Sequence, residues 1–438
     1  MYIRRIEINN IRSIEHFEMT FPEGQEAGWH VLIGDNGSGK STIVRSVALA
    51  LLDYEDINAT RQSWDDWLKK GQQSGNITLD VLPQKGYDSE SQEVVTNKVS
   101  LKKDTNKPRN VEIDEVIFRG SIRYNSIKTE SISENNASYK RRYFIKNAWF
   151  SAGYGPFRRF TGGDRQKEED LERSNPKLAA HLSIFGEDIA LSGALNYLRE
   201  LYLSSLDTED ESSSIAEFEL MMLSDFINLS NLLPNNTKIG RVNKDGIFLK
   251  DGNGTTISVL QMSDGYRSIL SLVIDLLRHL IRAYNIHDIY DSYNKDKKID
   301  FPGVVLIDEV DAHLHPTWQT NIGQWFTKYF PNLQFIVTTH SPLVCRAAEK
   351  GSIWQLPAPG SDDVAHEITG DEKKRLVYGN VLDAYGTNAF GDNVARSESA
   401  NDKLNELAEL NIKSIMGQIS PDEEKQLNAL RSIFPTQG

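Results

Sequence analysis

The chain has 438 residues, two to three times the size of a typical domain, so it can bury a sizeable core and needs no disulfide or metal staple. With 39% hydrophobic and 25% charged residues, 30 glycines and 14 prolines, the composition is that of a globular protein and excludes a disordered or fibrous chain. A net charge of −13 makes the molecule as a whole repel a phosphate backbone, so any nucleic-acid contact has to be a local basic patch.

The N-terminus, Met1-Tyr-Ile-Arg-Arg-Ile-Glu, lacks the apolar core of a signal peptide, and no window approaches 18 uninterrupted apolar residues; the expected location is the cytoplasm. Ile6 and Ile8 alternate with Arg5, Glu7 and Asn9, which predicts a strand, and Trp29 to Ile33 predicts a second. A glycine-rich loop follows, then a helix over Ser41 to Leu52. From Gly71 to about Ser126, short alternating runs such as Ile77 to Val81 and Val111 to Ile117 predict an antiparallel lobe, and the aperiodic stretch 127–142 a surface loop. Helical spacing appears at Leu195, Leu198, Leu201 and Leu203, and again at Ile215, Phe218, Met221, Met222 and Phe226, with the acidic linker Leu206 to Ser214 between. Gly246 to Val259 reads as a hairpin turning on Asp251-Gly-Asn-Gly254, and Ser268 to Arg282 as a long amphipathic helix. Strands are predicted at Val304 to Ile307 and Phe335 to Thr338, which gives an α/β sheet. The lone cysteine, Cys345, excludes an internal disulfide and suits a buried apolar position. In the tail, Leu404, Leu407 and Leu410, then the capping box Ser420-Pro-Asp-Glu423, then Leu427, Leu430 and Ile433 predict a helical hairpin, a candidate surface for another subunit.

Four segments carry chemistry. Gly34-Asp-Asn36-Gly37-Ser38-Gly39-Lys40-Ser41-Thr42 fits the phosphate-loop pattern: glycines turn backbone N–H groups inward, Lys40 supplies a cation to the outer phosphates and the Ser41 hydroxyl can ligate Mg²⁺. Gly303 to Ile307 delivers Asp308 and Glu309 at a strand end, the former suited to Mg²⁺ and the latter to the attacking water. Phe335 to Thr339 ends in His340, within reach of a γ-phosphate. Ser263-Asp264-Gly265 opens the long helix either as an N-cap or as a second phosphate-binding helix start. His313 and His315 admit a transition-metal reading, which the carboxylates' other role and Pro316 at a helix start disfavour. Lys140, Arg141, Arg142, Lys146, Arg158 and Arg159, interleaved with Tyr143, Phe144, Trp149, Tyr154, Phe157 and Phe160, suit either nucleic acid or a structural strand and loop with the aromatics packed inside.

The order of these motifs resembles the ABC-type ATPase heads of the SMC, RecF and OLD class, densely at 1–50 and 255–345. The resemblance implies two heads closing around two ATPs, Ser263 and Gly265 of one protomer completing the site built from Lys40, Ser41, Asp308, Glu309 and His340 of the other. Asp311-Ala-His-Leu-His315 would cross that interface, and Asn10-Ile-Arg12-Ser13 is similar to the family's N-terminal segment near the nucleotide. Asp264 departs from the family's usual glycine, and no Gln-loop is assignable. About 220 residues without heptads separate the phosphate loop from Ser263, so no long coiled-coil arms are expected, and fewer than 100 residues follow His340, too few for a TOPRIM nuclease domain. Gly153-Tyr-Gly-Pro-Phe-Arg-Arg159 resembles a motif of anti-phage ATPases, and the chain looks most like the ATPase subunit of Septu-type defence systems. That implies an ATPase using ATP and Mg²⁺, a homodimer or higher oligomer of heads, a separate HNH-type nuclease partner and no membrane. A RecF-like repair ATPase acting directly on DNA, through 140–159, and a transporter ATPase subunit are the alternatives. The expected architecture is an α/β ABC-type head with an antiparallel β lobe, a helical insertion and a C-terminal helical hairpin. Its expected segments are an N-terminal lobe (1–164), a mainly helical insertion and hairpin (165–255), a C-terminal lobe (256–358) and a helical partner-binding region (359–438).

Overall fold

The computed structural model describes residues 1–60, 62–85, 87, 93–103, 111–118, 149–156, 175–186, 192–206, 212–233, 235–385, 387 and 398–434. The alternation in the first 20 residues builds a hairpin: β1 (Tyr2–Ile11) pairs antiparallel with β2 (Ile14–Thr20), Ile8 opposite Phe17 and Ile11 opposite Ile14. Three strands therefore precede the glycine loop where the sequence predicts two; Glu15 and His16 together break the period of β2. β3 (Gly28–Ile33), α1 (Lys40–Ala50) and α2 (Tyr54–Ala59) follow. β4 (Ser74–Leu82), β5 (Val95–Lys103) and β6 (Val111–Phe118) extend the hairpin into an antiparallel sheet of order β2-β1-β4-β5-β6, the expected lobe.

The second sheet is assembled from distant pieces. β7 (Ser151–Tyr154), the short helices α3 (Pro176–Ala179) and α4 (Leu182–Phe185), and the longer α5 (Ser192–Ser205) and α6 (Ser212–Leu229) precede a three-stranded meander. That meander is β8 (Lys238–Asn243), β9 (Gly246–Lys250) and β10 (Thr256–Ser258); the predicted hairpin is its second half, and Asp251 Oδ1 accepts the N–H groups of Asn253 and Thr255 at the turn. α7 (Asp264–Tyr284) and α8 (Ile286–Asp296) lead to β11 (Gly303–Ile307), α9 (Pro316–Tyr329), β12 (Leu333–Thr338), β13 (Ile353–Gln355) and β14 (His366–Glu367). The order β14-β13-β3-β12-β11-β7 is parallel throughout except for β14. β3, β11 and β12 are buried along their whole length, which is why they read as mainly apolar runs; the polar His30 and Gln334 inside them are buried and hydrogen-bonded.

Successive side chains of these strands serve two cores. Val305, Ile307, Phe335 and Val337 join Trp29 and the apolar faces of α5, α6, α7 and α9, whereas Val304, Leu306 and Ile336 meet α1 and the inner face of the antiparallel sheet. Each fully buried aliphatic side chain contributes about 1.5–3 kcal/mol. The helices of the 165–255 segment thus share a core with the parallel sheet. Cys345 is fully buried, and burial pushes its thiol pKa up.

β3 is bound to the segment after β12 by Trp29 N–H to the Lys350 carbonyl and Val31 N–H to that of Ser352, both 2.8 Å. Gly351 sits between them with φ +148°, and a Cβ there would lie 2.0 Å from the Trp29 carbonyl oxygen. Gly351→Ala is expected to destabilise the fold by about 2 kcal/mol or more. The check is thermal unfolding: a melting temperature equal to wild type would show that the two segments separate without cost.

After α10 (Gly370–Tyr378) and α11 (Val381–Tyr385), the chain ends its described course in the predicted hairpin, α12 (Glu398–Ile415) and α13 (Pro421–Ile433). Leu407, Leu410, Leu427 and Leu430 form a cluster of their own with Leu404, and the Ser420–Glu423 capping box is present. Ile433 is exposed instead of joining it, with Ile412, Ile415 and Met416. No helix among the described residues is long and apolar enough to cross a membrane.

Candidate active site

All the strands that matter end at one edge. β3, β12, β11 and β7 run parallel, so Gly34, His340, Asp308 and Gly155 leave the sheet on the same side, where open α/β sheets form their sites. The loop after β3 closes on Gly39, which has φ +99° at the N-cap of α1. A side chain there would be strained, and its Cβ would lie 3.0 Å from Ile14 Cγ1. The first turn of α1 carries no acidic residue and its N-cap no side chain, leaving the positive end of the helix unopposed. Asn36 and Gly37 are exposed at the loop's tip, Ser41 is half-buried and Thr42 buried. Ser38 Oγ is buried and has no hydrogen-bond partner among the described residues.

Lys40 is 6% exposed, and its Nζ donates to the carbonyls of Gly34 (2.6 Å) and Asp35 (2.9 Å). Burial lowers its pKa, while Asp308, Glu309, Asp35 and Asp311 act to raise it. A buried cation held by its own loop's carbonyls and faced by carboxylates is a cation with a replaceable partner, and an anionic ligand is the chemistry that fits.

Asp308 is 1% exposed; its N–H donates to the Tyr154 carbonyl (2.8 Å) and its Oδ1 accepts from Thr338 Oγ1 (2.6 Å). Glu309 is half-buried with φ +49°. Asp311 Oδ1 accepts from Thr339 Oγ1 (2.6 Å), and the Thr339 N–H reaches the Leu32 carbonyl, tying β12 to the end of β3. His340 is exposed immediately after β12. The structure thus gathers Lys40, Asp308, Glu309 and His340 at one sheet edge, from sequence positions up to 300 apart.

Arg12 lies on the flank of this site. It has φ +50°, its N–H donates to the Trp67 carbonyl (2.8 Å) and its guanidinium stacks on the Trp67 ring at 4.7 Å. Burial and the positive charge of Arg45 lower its pKa, and its Nε is buried with no hydrogen-bond partner among the described residues. Ser13 and Ile14 touch Gly39, so this turn packs against the phosphate loop. Sequence reasoning missed Arg45, which lies one turn beyond Ser41 on α1 and donates from Nε to the Ile184 carbonyl (3.1 Å).

Ser263 and Gly265 stand apart. Ser263 is the backbone N-cap of α7, but its hydroxyl makes no capping hydrogen bond; Asp264 pairs instead with Arg267. Gly265 packs so closely on His313 that a Cβ would lie 2.5 Å from that carbonyl oxygen. With Tyr266, Leu314 and Trp318 these residues line a cavity of about 80 Å³. Among the described residues no hydrogen bond joins Ser263 or Gly265 to residues 34–42. His315 Nδ1 accepts the Thr317 N–H (3.3 Å) as the cap of α9, with Pro316 in the first turn. No cluster of three or more His, Cys, Asp or Glu suited to a metal occurs among the described residues. Of the basic and aromatic stretch, 140–148 and 157–160 lie outside the described residues; Tyr154 is fully buried, which removes it as a stacking surface.

Residues 30–346 match the family described as "AAA domain, putative AbiEii toxin, Type IV TA system". The chain belongs to this AAA-domain family. The match runs from β3 to beyond His340, so the AAA domain contains the phosphate loop, Ser263, Gly265 and both carboxylates. The chain is similar to the Retron Ec83 probable ATPase of Escherichia coli, 28% identical over 405 residues, covering 80% of this chain and 70% of that protein. It is likewise 28% identical over 358 residues to Septu protein PtuA of Bacillus mycoides (strain KBAB4), covering 80% of this chain but only 40% of that one. Septu protein PtuA of Bacillus thuringiensis is 24% identical over 369 residues, covering 83% and 77%. The Septu resemblance first drawn from motif order therefore extends over about four-fifths of the AAA-domain chain.

Proposed function

We propose that the protein binds and hydrolyses ATP as a subunit of a cytoplasmic anti-phage defence complex, in which closure of two heads gates a separate HNH-type nuclease. The observation that carries the reading is the meeting of Lys40, Asp308, Glu309 and His340 at one edge of the parallel sheet. The assignment to defence rests on relatives named for Septu and a retron. In this reading Gly37, Ser38 and Gly39 offer backbone N–H groups to phosphate, and Lys40 exchanges its loop carbonyls for the outer phosphates. Asn36, Thr42 and Arg12 complete the pocket wall. The Ser41 hydroxyl and the Asp308 carboxylate are an oxygen donor pair of the kind Mg²⁺ takes. When bound, that ion would neutralise charge on the outer phosphates. Glu309 orients and deprotonates the attacking water, and His340 hydrogen-bonds the terminal phosphate. Segments 1–164 and 256–358 form the head around the insertion at 165–255, and 359–438 docks the partner subunit.

Ser263, exposed and with a hydroxyl that makes no capping bond, and Gly265 in the first turn of α7 then serve the phosphate loop of a second protomer. Subunit mixing tests this. Ser263→Arg alone and Lys40→Ala alone are expected to be inactive, whereas their mixture regains phosphate release with a maximum near equal amounts, one competent site forming per heterodimer. Full activity of Ser263→Arg by itself would sink the shared site, as would a flat line across all ratios once subunit exchange is demonstrated.

A further inference from the structure

We propose that Thr338 is a positioning residue that sets Asp308 and Glu309 together from the neighbouring strand, an inference resting on the reading of those carboxylates as the hydrolytic pair. Thr338 ends β12 and is fully buried. Its Oγ1 donates to Asp308 Oδ1 (2.6 Å) and accepts the Glu309 N–H (2.7 Å), so donor and acceptor are both used, one on each member of the pair. Its carbonyl accepts the next N–H, that of Val310 (3.0 Å). Three consecutive residues of the carboxylate turn are thus fixed by one residue of another strand.

Two physical arguments make this more than packing. A buried hydroxyl is costly unless bonded, and the packing at the end of the buried strand Leu333–Thr338 would be served equally well by valine, which has the same shape and a stronger strand preference. Glu309 also occupies the left-handed region, φ +49°, where a side chain is disfavoured and only surrounding contacts hold it. The Glu309 N–H to Thr338 hydroxyl bond fixes that residue's backbone from the neighbouring strand, while its carbonyl accepts the Ala312 N–H (2.9 Å) within the turn. The adjacent Thr339 repeats the device one step outward: its Oγ1 donates to Asp311 Oδ1 (2.6 Å) and accepts the Ser341 N–H (2.9 Å). The two threonines thus anchor Asp308, the Glu309 backbone and Asp311 from the end of β12, directly before His340.

Thr338→Val and Thr338→Ser in the full-length chain test the assignment. The valine variant is expected to bind a non-hydrolysable ATP analogue within about threefold of wild type while kcat falls about 10- to 100-fold, the loss typical of one hydrogen bond to a charged group. Serine keeps the hydroxyl and is expected to recover most of kcat. Residue-resolved amide exchange supplies a readout that needs no turnover: the Glu309 amide should exchange about tenfold faster or more in Thr338→Val, with the Val310 amide, held by a carbonyl, unchanged. Equal loss in both variants would reduce Thr338 to packing, and an unaltered Glu309 amide in the valine variant would overturn the proposal whatever the rates. Glu309→Gln measured alongside separates the cases: wild-type turnover in that variant refutes the role of Glu309 itself, while the exchange result still decides whether Thr338 positions it.

Discussion

Lys40→Ala is expected to weaken ATP binding by at least about 100-fold, the largest effect of any single substitution in this site. Two consequences of its position add. The mutation removes the cation nearest the outer phosphates, and it leaves Asp308, Glu309, Asp35 and Asp311, the four carboxylates acting on Lys40, facing an incoming polyanion with that charge gone. The fold should survive, because among the described residues Nζ bonds only to the carbonyls of Gly34 and Asp35, at the edge of the sheet and outside both hydrophobic cores. Titration calorimetry with ATP and Mg²⁺ decides it; an affinity within threefold of wild type, with an unchanged melting temperature, would remove Lys40 from the phosphate site.

Glu309→Gln should separate binding from hydrolysis. The substitution keeps side-chain size and the backbone N–H that donates to Thr338, so the left-handed turn and the buried Asp308 beside it remain as they are. What is lost is the ability to take a proton from water, and hydrolysis is expected to fall by about 10² or more with nucleotide affinity preserved. Phosphate release under single-turnover conditions measures the chemical step directly. Turnover at the wild-type rate would exclude Glu309 as the base. The same variant, loaded with ATP, should accumulate closed heads, visible as a nucleotide-dependent rise in molar mass by light scattering.

The parts of the site legible in the sequence are those whose requirements are local. Gly39 must adopt φ +99° to end the loop, Lys40 and Ser41 must follow it directly, and β3, β11 and β12 must be largely apolar on both faces, so each leaves a mark within ten residues. Tertiary structure decided the remainder. β7 is only Ser151–Tyr154, with no periodicity of its own, and becomes a strand by pairing with β11. Ser263 has the propensity of a capping residue, yet its hydroxyl caps nothing, and the need for glycine at 265 comes from a carbonyl at His313. Thr338 looks like any strand threonine until the fold brings Asp308 and Glu309, 30 and 29 residues away in sequence, onto its hydroxyl. The sequence by itself determined which chemistry the chain carries, because backbone conformation and residue type are set by near neighbours. Only the packing of β11 against β12 and β7 decided which side chains hold that chemistry in place, since a buried hydrogen bond is specified by two strands at once.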